Sequence, residues 1–291
     1  MTMQIPFTKM AGTGNDFVLV DAIRHPLSRL RGGWPSLAQA MCDRRAGIGA
    51  DGLLVLSPSR VATVKMRIFN PDGSEAEMCG NGARCVALYV KREGGSRAGP
   101  VTIETRAGVL TAGVRGERVA MRMPDPIVHR LDLPISIGRR RFRVGFVNTG
   151  VPHAVVPVEA LDEVDVARMG RALRFHRRFA PRGTNVDFVQ PDAARPSRLR
   201  VRTYERGVEG ETPACGTGVM ASAVVHALRA APNGRAPRRR IEVEARSRDI
   251  LTVSLTVKPS GGAGRVTGVV LEGAARRVFE GTVAWPLRRE R

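Results

Sequence analysis

Short apolar runs and stretches of helical period follow one another along the chain, and the same succession occurs twice. Residues 17–20 and 154–158 are apolar runs of the length that buried strands require. Residues 64–69 and 199–204 alternate apolar with polar or basic side chains, the period of a half-buried strand. Residues 36–43 and 166–175 place apolar side chains at helical spacing, with Ser36 and Asp165 as helix-starting residues. Residues 83–92 and 219–229 are rich in Ala, Val and Leu on every side, which predicts helices buried all round. Strands are expected at 101–104, 109–114 and 119–123, and again at 241–245, 250–257 and 266–271. Residues 278–283 read as one more strand, returning to the first half. Pro124-Asp125-Pro126 reads as a linker, and 232–237 and 259–264 read as loops.

The doubling is explicit in the residues. Cys79-Gly80-Asn81-Gly82 is echoed 136 positions later by Cys215-Gly216-Thr217-Gly218. The same offset sets Gly14-Asn15-Asp16-Phe17 against Gly150-Val151-Pro152-His153, and Gly47-Ile48-Gly49-Ala50-Asp51 against Gly183-Thr184-Asn185-Val186-Asp187. Ile68-Phe69-Asn70 meets Thr203-Tyr204-Glu205 with one residue of slippage, and an offset of 140 aligns Val101-Thr102-Ile103 with Ile241-Glu242-Val243. Matches in constant order imply an internal duplication. The expected fold is α/β (α+β): two pseudo-symmetric domains, each a mixed, mainly antiparallel sheet wrapped around a central helix. The expected boundaries are 1–126, with the returning strand in 277–291, and 127–276.

Composition narrows the function classes. A chain of 291 residues that is 43% hydrophobic and 25% charged has the balance of a globular protein able to bury a full core. Four cysteines are too few for a secreted disulfide framework at this length. No signal sequence and no run long enough to span a membrane is visible, so a cytoplasmic protein with reduced thiols is expected. The net charge of +20 invites a nucleic-acid reading. Yet only four of the 47 basic residues are lysines (Lys9, Lys65, Lys91 and Lys258), and the arginines are dispersed. The clusters at 139–141, 238–240 and 288–291 are expected in turns or at the terminus. Aromatics are 4%, and no recognition motif is present, so specific nucleic-acid binding is not expected.

The Cys-Gly-x-Gly units carry the chemistry. Two glycines let the backbone turn tightly and present N–H groups at a helix start, where the dipole favours a carboxylate or phosphate. A cysteine ahead of that helix is expected to have its thiolate stabilised by the same positive end. Two such units from related halves suggest two thiols facing one carbon from opposite sides, an arrangement for stereoinversion. One thiolate would remove an α-proton and the other thiol would deliver one, while backbone N–H groups stabilise the developing charge. No lysine stands in a pyridoxal-phosphate context, so no cofactor is expected, and no metal site is expected from the Cys79 and Cys85 spacing. Cys42 and Cys85 read as structural core residues.

These residues resemble a known family. The segments Gly14-Asn15-Asp16-Phe17-Val18, Phe69-Asn70-Pro71-Asp72-Gly73-Ser74-Glu75, Met78-Cys79-Gly80-Asn81-Gly82-Ala83-Arg84-Cys85, Tyr204-Glu205-Arg206-Gly207 and Ala214-Cys215-Gly216-Thr217-Gly218 are similar, in order, to those of diaminopimelate epimerases. The resemblance implies interconversion of L,L- and meso-2,6-diaminopimelate in lysine and peptidoglycan precursor synthesis, by a cytoplasmic homodimer without pyridoxal phosphate. It makes Cys79 and Cys215 the two acid/base residues. It implies substrate binding by Asn15, Asn70, Asn185, Glu205 and Arg206 and by the main chain of Gly80, Asn81, Gly216 and Thr217, with Arg206, Asn70 and Asn185 reading the distal end. His153 and Glu205 are similar to residues thought to adjust the thiol pKa values. Proline racemases share the paired cysteines but show His in the position of Asn81.

The chain departs from the pattern twice. Val151 stands where many members have Asn, with Asn148 three residues earlier, and Gly52 stands where some have Gln. Read without the resemblance, Asn70 is equally the head of a turn, Glu205 and Arg206 a surface ion pair, and His153 a loop histidine.

Overall fold

A computed structural model describes residues 3–27, 30–94, 99–230, 238–258 and 265–286. The chain forms two compact units, Met1–Met121 with Gly273–Arg291, and Arg122–Glu272.

In the first unit the strands run in the order Arg276–Trp285, Met3–Gly12, Asn15–Asp21, Gly52–Ser57, Val64–Phe69, Val101–Thr105, Gly108–Arg115. Neighbours are antiparallel except at two junctions. Asn15–Asp21 runs parallel to Gly52–Ser57, and Val64–Phe69 runs parallel to Val101–Thr105. Helix α1 (Gly33–Cys42) crosses between the first parallel pair and helix α2 (Gly80–Glu93) between the second, as parallel pairing demands. The sheet curls around α2, whose residues 81–89 are all buried. A Cβ on Gly82 would lie 2.9 Å from Leu54 Cδ2, so the glycine sets how deeply the helix beds on the sheet. The other face of the sheet is covered by α1, where Leu37, Ala38 and Met41 pack on Ile5, Val18, Leu53 and Val55. Strand Gly52–Ser57 is therefore buried on both faces, which is why it reads as an unbroken apolar run.

The second unit repeats the plan: Ile127–Ile137, Arg140–Asn148, Pro152–Pro157, Asn185–Pro191, Arg198–Glu205, Arg238–Glu244, Ile250–Lys258, Arg265–Ala274. The parallel junctions recur at the equivalent places, His153 with Asn185 and Leu199 with Val243. Helix α3 (Val166–Arg174) covers one face, with Val166 and Leu173 against Val156, Val186, Phe188 and Tyr204. Asp165 caps α3 by accepting a hydrogen bond from the Arg168 N–H at 3.0 Å. Helix α4 (Gly216–Arg229) is the buried centre of this unit. Fully burying each such Leu or Val stabilises the core by about 1.5–3 kcal/mol.

The registers refine the duplication. Leu53 pairs with Phe69 and Val186 with Tyr204, which equates Leu53 with Val186 and Gly52 with Asn185, 133 positions apart. The offset of 136 expected for this stretch is thus corrected: Asp187 is the counterpart of Leu54, not of Asp51. Elsewhere the pairings bear out the slippage, since Val64 with Ile103 matches Leu199 with Val243, offsets of 135 and 140.

Among the described residues, seven strands are not among those expected: Met3–Gly12, Gly52–Ser57, Glu75–Ala76, Ile127–Ile137, Arg140–Asn148, Asn185–Pro191 and Gly210–Thr212. Ile127–Ile137 and Arg140–Asn148 alternate: Ile135 and Val144 are buried, Leu133, Ile137, Phe142 and Phe146 pack against the same core, and the intervening Arg130, Asp132, Arg141 and Arg143 are exposed. Helix α1 begins at Gly33, not Ser36, because Gly32 turns the chain in the left-handed region (φ 75°) one residue ahead of it. The arginines at 238–240 lie in a strand, not a turn. The expected loops at 232–237 and 259–264 and the terminal arginines at 288–291 lie outside the described residues. Among the described residues no helix is long and apolar enough to cross a membrane.

Candidate active site

Each central helix begins on a cysteine. Cys79 is the N-cap of α2, in extended conformation (φ −139°, ψ 120°), and Cys215 is the N-cap of α4 (φ −119°, ψ 109°). The first intrahelical bonds are Ala83 N–H to Cys79 O and Val219 N–H to Cys215 O, both 2.9 Å. The main-chain N–H groups of residues 80–82 and 216–218 therefore have no partner within their helix and point out of its positive end. A Cβ added to Gly80 would meet nothing within 4 Å, so the space beside this turn is open.

In the first unit, Asn81 joins the helix start to the hairpin that carries Asn15. Its Nδ2 donates to Asn15 Oδ1 at 2.6 Å and to Thr13 O at 3.1 Å, and Arg84 Nη2 donates to its Oδ1. Asn15 Nδ2 donates in turn to Asp51 Oδ2 at 2.9 Å. Behind it, Asp16 accepts from Lys9 at 2.6 Å and from Arg44 at 2.7 Å. Burial alone would raise the Asp16 pKa, but hydrogen bonds from Arg44 and Lys9 overcome it and hold this carboxyl at about 2. Asn70 heads its own turn: its Nδ2 donates to Ser74 Oγ at 2.9 Å, its N–H to Ser74 O, and Gly73 N–H to its O.

The second unit gathers more of the expected residues. Cys215 Sγ lies 3.4 Å from Thr217 Oγ1, and the Thr149 hydroxyl donates to Thr217 O at 3.1 Å. His153 Nδ1 lies 2.8 Å from Asp187 Oδ2, and the Thr203 hydroxyl donates to Asp187 Oδ1 at 2.8 Å. His153 and Asp187 are wholly buried, so His153 belongs to the core and not to a loop surface. Asn185 Oδ1 accepts the Arg206 main-chain N–H at 2.7 Å, which ties down the turn after Glu205.

Burial pushes the Cys215 thiol well above its usual range. The Glu205 and Asp187 carboxylates push the same way, while Thr217 and the Gly218 N–H oppose them. The expectation that the helix end lowers this pKa is therefore corrected: desolvation and two carboxylates outweigh it. Burial also raises Glu205, with the Thr212 hydroxyl pulling it back. Cys42 and Cys85 are pushed up to about 12 by burial, as inert core thiols are.

The two departures have structural readings. Asn148 Oδ1 accepts the Gly150 N–H at 2.9 Å, so this side chain closes the turn ahead of Val151. Gly52 lies against Phe69 O, 3.0 Å from where a Cβ would be. Asp51, Thr203 and above all Asp187 are polar residues of the site that the motifs do not mark. For Asp187 the signal is a lone carboxylate inside the apolar run Val186-Asp187-Phe188-Val189. Among the described residues no group of His, Cys, Asp and Glu is gathered to hold a metal ion.

The comparisons agree with this architecture. A family model described as diaminopimelate epimerase matches twice, over residues 7–128 and 145–266. Solved structures share the fold over 97% of the chain. Two of them are a phenazine biosynthesis protein of the PhzF family from Bacillus anthracis (TM-score 0.70, 20% identity, 99% of that chain covered) and a hydroxyproline epimerase from Agrobacterium vitis (TM-score 0.68, 19% identity, 93% of that chain covered). Duplicated α/β halves, each with a cysteine capping its buried helix, and this family match define the class: the protein is an epimerase, an isomerase. Over 286 residues, 96% of this chain and 97% of the relative, it is 39% identical to a diaminopimelate epimerase of Aquifex aeolicus. It is 44% identical over 237 residues to that of Archaeoglobus fulgidus, covering 77% of this chain and 81% of the relative. The chain belongs to the diaminopimelate epimerase family.

Proposed function

We propose that the protein interconverts L,L- and meso-2,6-diaminopimelate by two-base proton transfer at one α-carbon, without pyridoxal phosphate. The observation that carries the reading is the pair of cysteine caps, one on each buried helix, in a chain of this family. In each direction one cysteine, as thiolate, takes the α-proton, and the other, as thiol, gives a proton to the opposite face. Charge and protons balance, and the two cysteines end with their protonation states exchanged. The free N–H groups of Gly80, Asn81, Gly216 and Thr217 suit the carboxylate whose charge grows as the carbanion forms. Arg206 suits a bidentate contact with the distal carboxylate, and Asn70 and Asn185 are assigned to the same end of the substrate. Asn15 and Glu205 complete the substrate contacts. The raised thiol of Cys215 is ready as the acid; acting as base, it needs the substrate's own charges to favour ionisation. A cytoplasmic homodimer supplying lysine and peptidoglycan precursors fits this reading.

The test is exchange in heavy water. Purified enzyme should wash deuterium into the α-position of diaminopimelate, and Cys79→Ala and Cys215→Ala should each stop epimerisation. An α-proton retained by the wild-type enzyme rejects the reading. Turnover of proline or hydroxyproline in its place, in a substrate panel, would transfer the reaction to another amino acid.

A further inference from the structure

One donor in the second unit is unambiguous, and it fixes the direction of every hydrogen bond behind it. The Arg206 main-chain N–H, which can only donate, lies 2.7 Å from Asn185 Oδ1. The Asn185 carboxamide is thereby oriented, and its Nδ2 faces Pro152 O at 3.3 Å and His153 Nε2 at 3.4 Å. An amide NH₂ also only donates, so this contact is a hydrogen bond when Nε2 carries a lone pair. Neutral His153 then bears its proton on Nδ1, where the acceptor is Asp187 Oδ2 at 2.8 Å. The Asp187 carboxylate is held in turn by the Thr203 hydroxyl at 2.8 Å. Strand register explains the line-up: His153 pairs with Asn185 across one junction, and Asp187 with Thr203 across the next. Asn185 and Asp187, two apart on one strand, point to the same face.

We propose that Asp187 is a positioning residue for the epimerase reaction. It locks His153 in the Nδ1–H form, so that Nε2 accepts from Asn185 and Asn185 holds the Arg206 main chain. That sets where the Glu205–Arg206 turn presents its side chains to the substrate. The inference rests on the reading that Arg206 binds the distal end of diaminopimelate. It gives His153 an orienting task beside the adjustment of thiol pKa values that the resemblance implies. Without an acceptor at 187 the imidazole proton moves to Nε2, two donors face each other, Asn185 turns, and the Arg206 N–H loses its partner.

The experiment is a histidine side-chain nitrogen NMR spectrum of the ¹⁵N-labelled enzyme, with the His153 signals assigned by their loss in His153→Gln, together with steady-state kinetics. The wild-type spectrum should show His153 protonated on Nδ1 and bare on Nε2 at neutral pH. Asp187→Ala should abolish that pattern and raise KM for diaminopimelate about tenfold or more, with a smaller change in kcat. Asp187→Asn still offers an oxygen to Nδ1 and should restore both the tautomer and most of the KM. A wild-type His153 protonated on Nε2, or an unchanged KM in Asp187→Ala, overturns the proposal. Should Asp187→Ala fail to fold, the wild-type spectrum alone decides. A wild-type enzyme inert towards diaminopimelate would refute the substrate reading and leave the tautomer result standing.

Discussion

Gly218 and Asp187 lie so close that a Cβ on Gly218 would sit 2.3 Å from Asp187 Oδ1. The first turn of α4, which starts on Cys215, therefore rests directly on a buried carboxylate, and only glycine permits it. Gly218→Ala must push the helix start away from the strand. Overpacking of this kind costs about 1–3 kcal/mol. We expect a lower Tm and a larger proportional loss of α-proton exchange, because the displaced turn carries the cysteine. A variant with wild-type Tm and exchange rate would show that the turn has slack the geometry denies.

Glu205 holds its proton to higher pH than a carboxyl in the unfolded chain, chiefly because it is buried. A raised carboxyl pKa contributes stability that is full below the unfolded value and is lost as pH rises through the folded value. Glu205→Gln, neutral throughout, should thus gain stability relative to wild type as pH rises from acidic to neutral, read as Tm against pH. Parallel curves for the two proteins would contradict this.

The same substitution removes a charge that raises the Cys215 thiol. Site-resolved alkylation of Cys215 by iodoacetamide should therefore shift its pH dependence downward in Glu205→Gln. No shift, or a shift upward, would dissociate the carboxylate from the thiol.

Asp16 behaves in the opposite sense. Despite the opposing effect of burial, Arg44 and Lys9 hold its pKa at about 2 against an ordinary 3.8. Its contribution is present above the ordinary value and is lost as pH falls towards 2. Because Asp16 is partly exposed, screening reduces the effect to about 1 kcal/mol. Asp16→Asn should lower Tm at neutral pH and converge with wild type in acid; a constant difference across pH would point to packing instead of charge.

Reactivity should separate the four thiols. Cys42 and Cys85 are buried, with pKa values raised to about 12, while Cys79 is half-buried. Mass spectrometry after brief alkylation of the native enzyme should find Cys79 modified first and Cys42 and Cys85 spared. Early modification of Cys85 would mean that the α2 core opens readily.

The duplication, the two central helices and the cysteine caps were legible in the chain, because glycine spacing and all-round apolar helices are local signals. The sequence-level similarity also carried the family. Other features were hidden for a physical reason: pairing registers are long-range. Nothing local in Gly49-Ala50-Asp51-Gly52 tells that Gly52, not Gly49, is the counterpart of Asn185; only Leu53 opposite Phe69 and Val186 opposite Tyr204 decide it. The strands Ile127–Ile137 and Arg140–Asn148 do alternate apolar and polar side chains over 131–137 and 142–146, but it takes their mutual pairing and the burial of Ile135 and Val144 to show that this face meets a core.

The chain by itself determined which side chains are available: two thiols on two helix starts, and the Asn, Glu and Arg that accompany them. The tertiary structure decided their electrostatic settings. Whether a thiol at a helix start is lowered or raised depends on how much water reaches it and which carboxylates lie near. For Cys215, burial together with Glu205 and Asp187 reverses the effect of the helix end. Likewise, Asp187 gains its meaning only when strand pairing sets it between His153 and Thr203. Desolvation and through-space charge are properties of the folded surroundings, and no spacing along the chain encodes them.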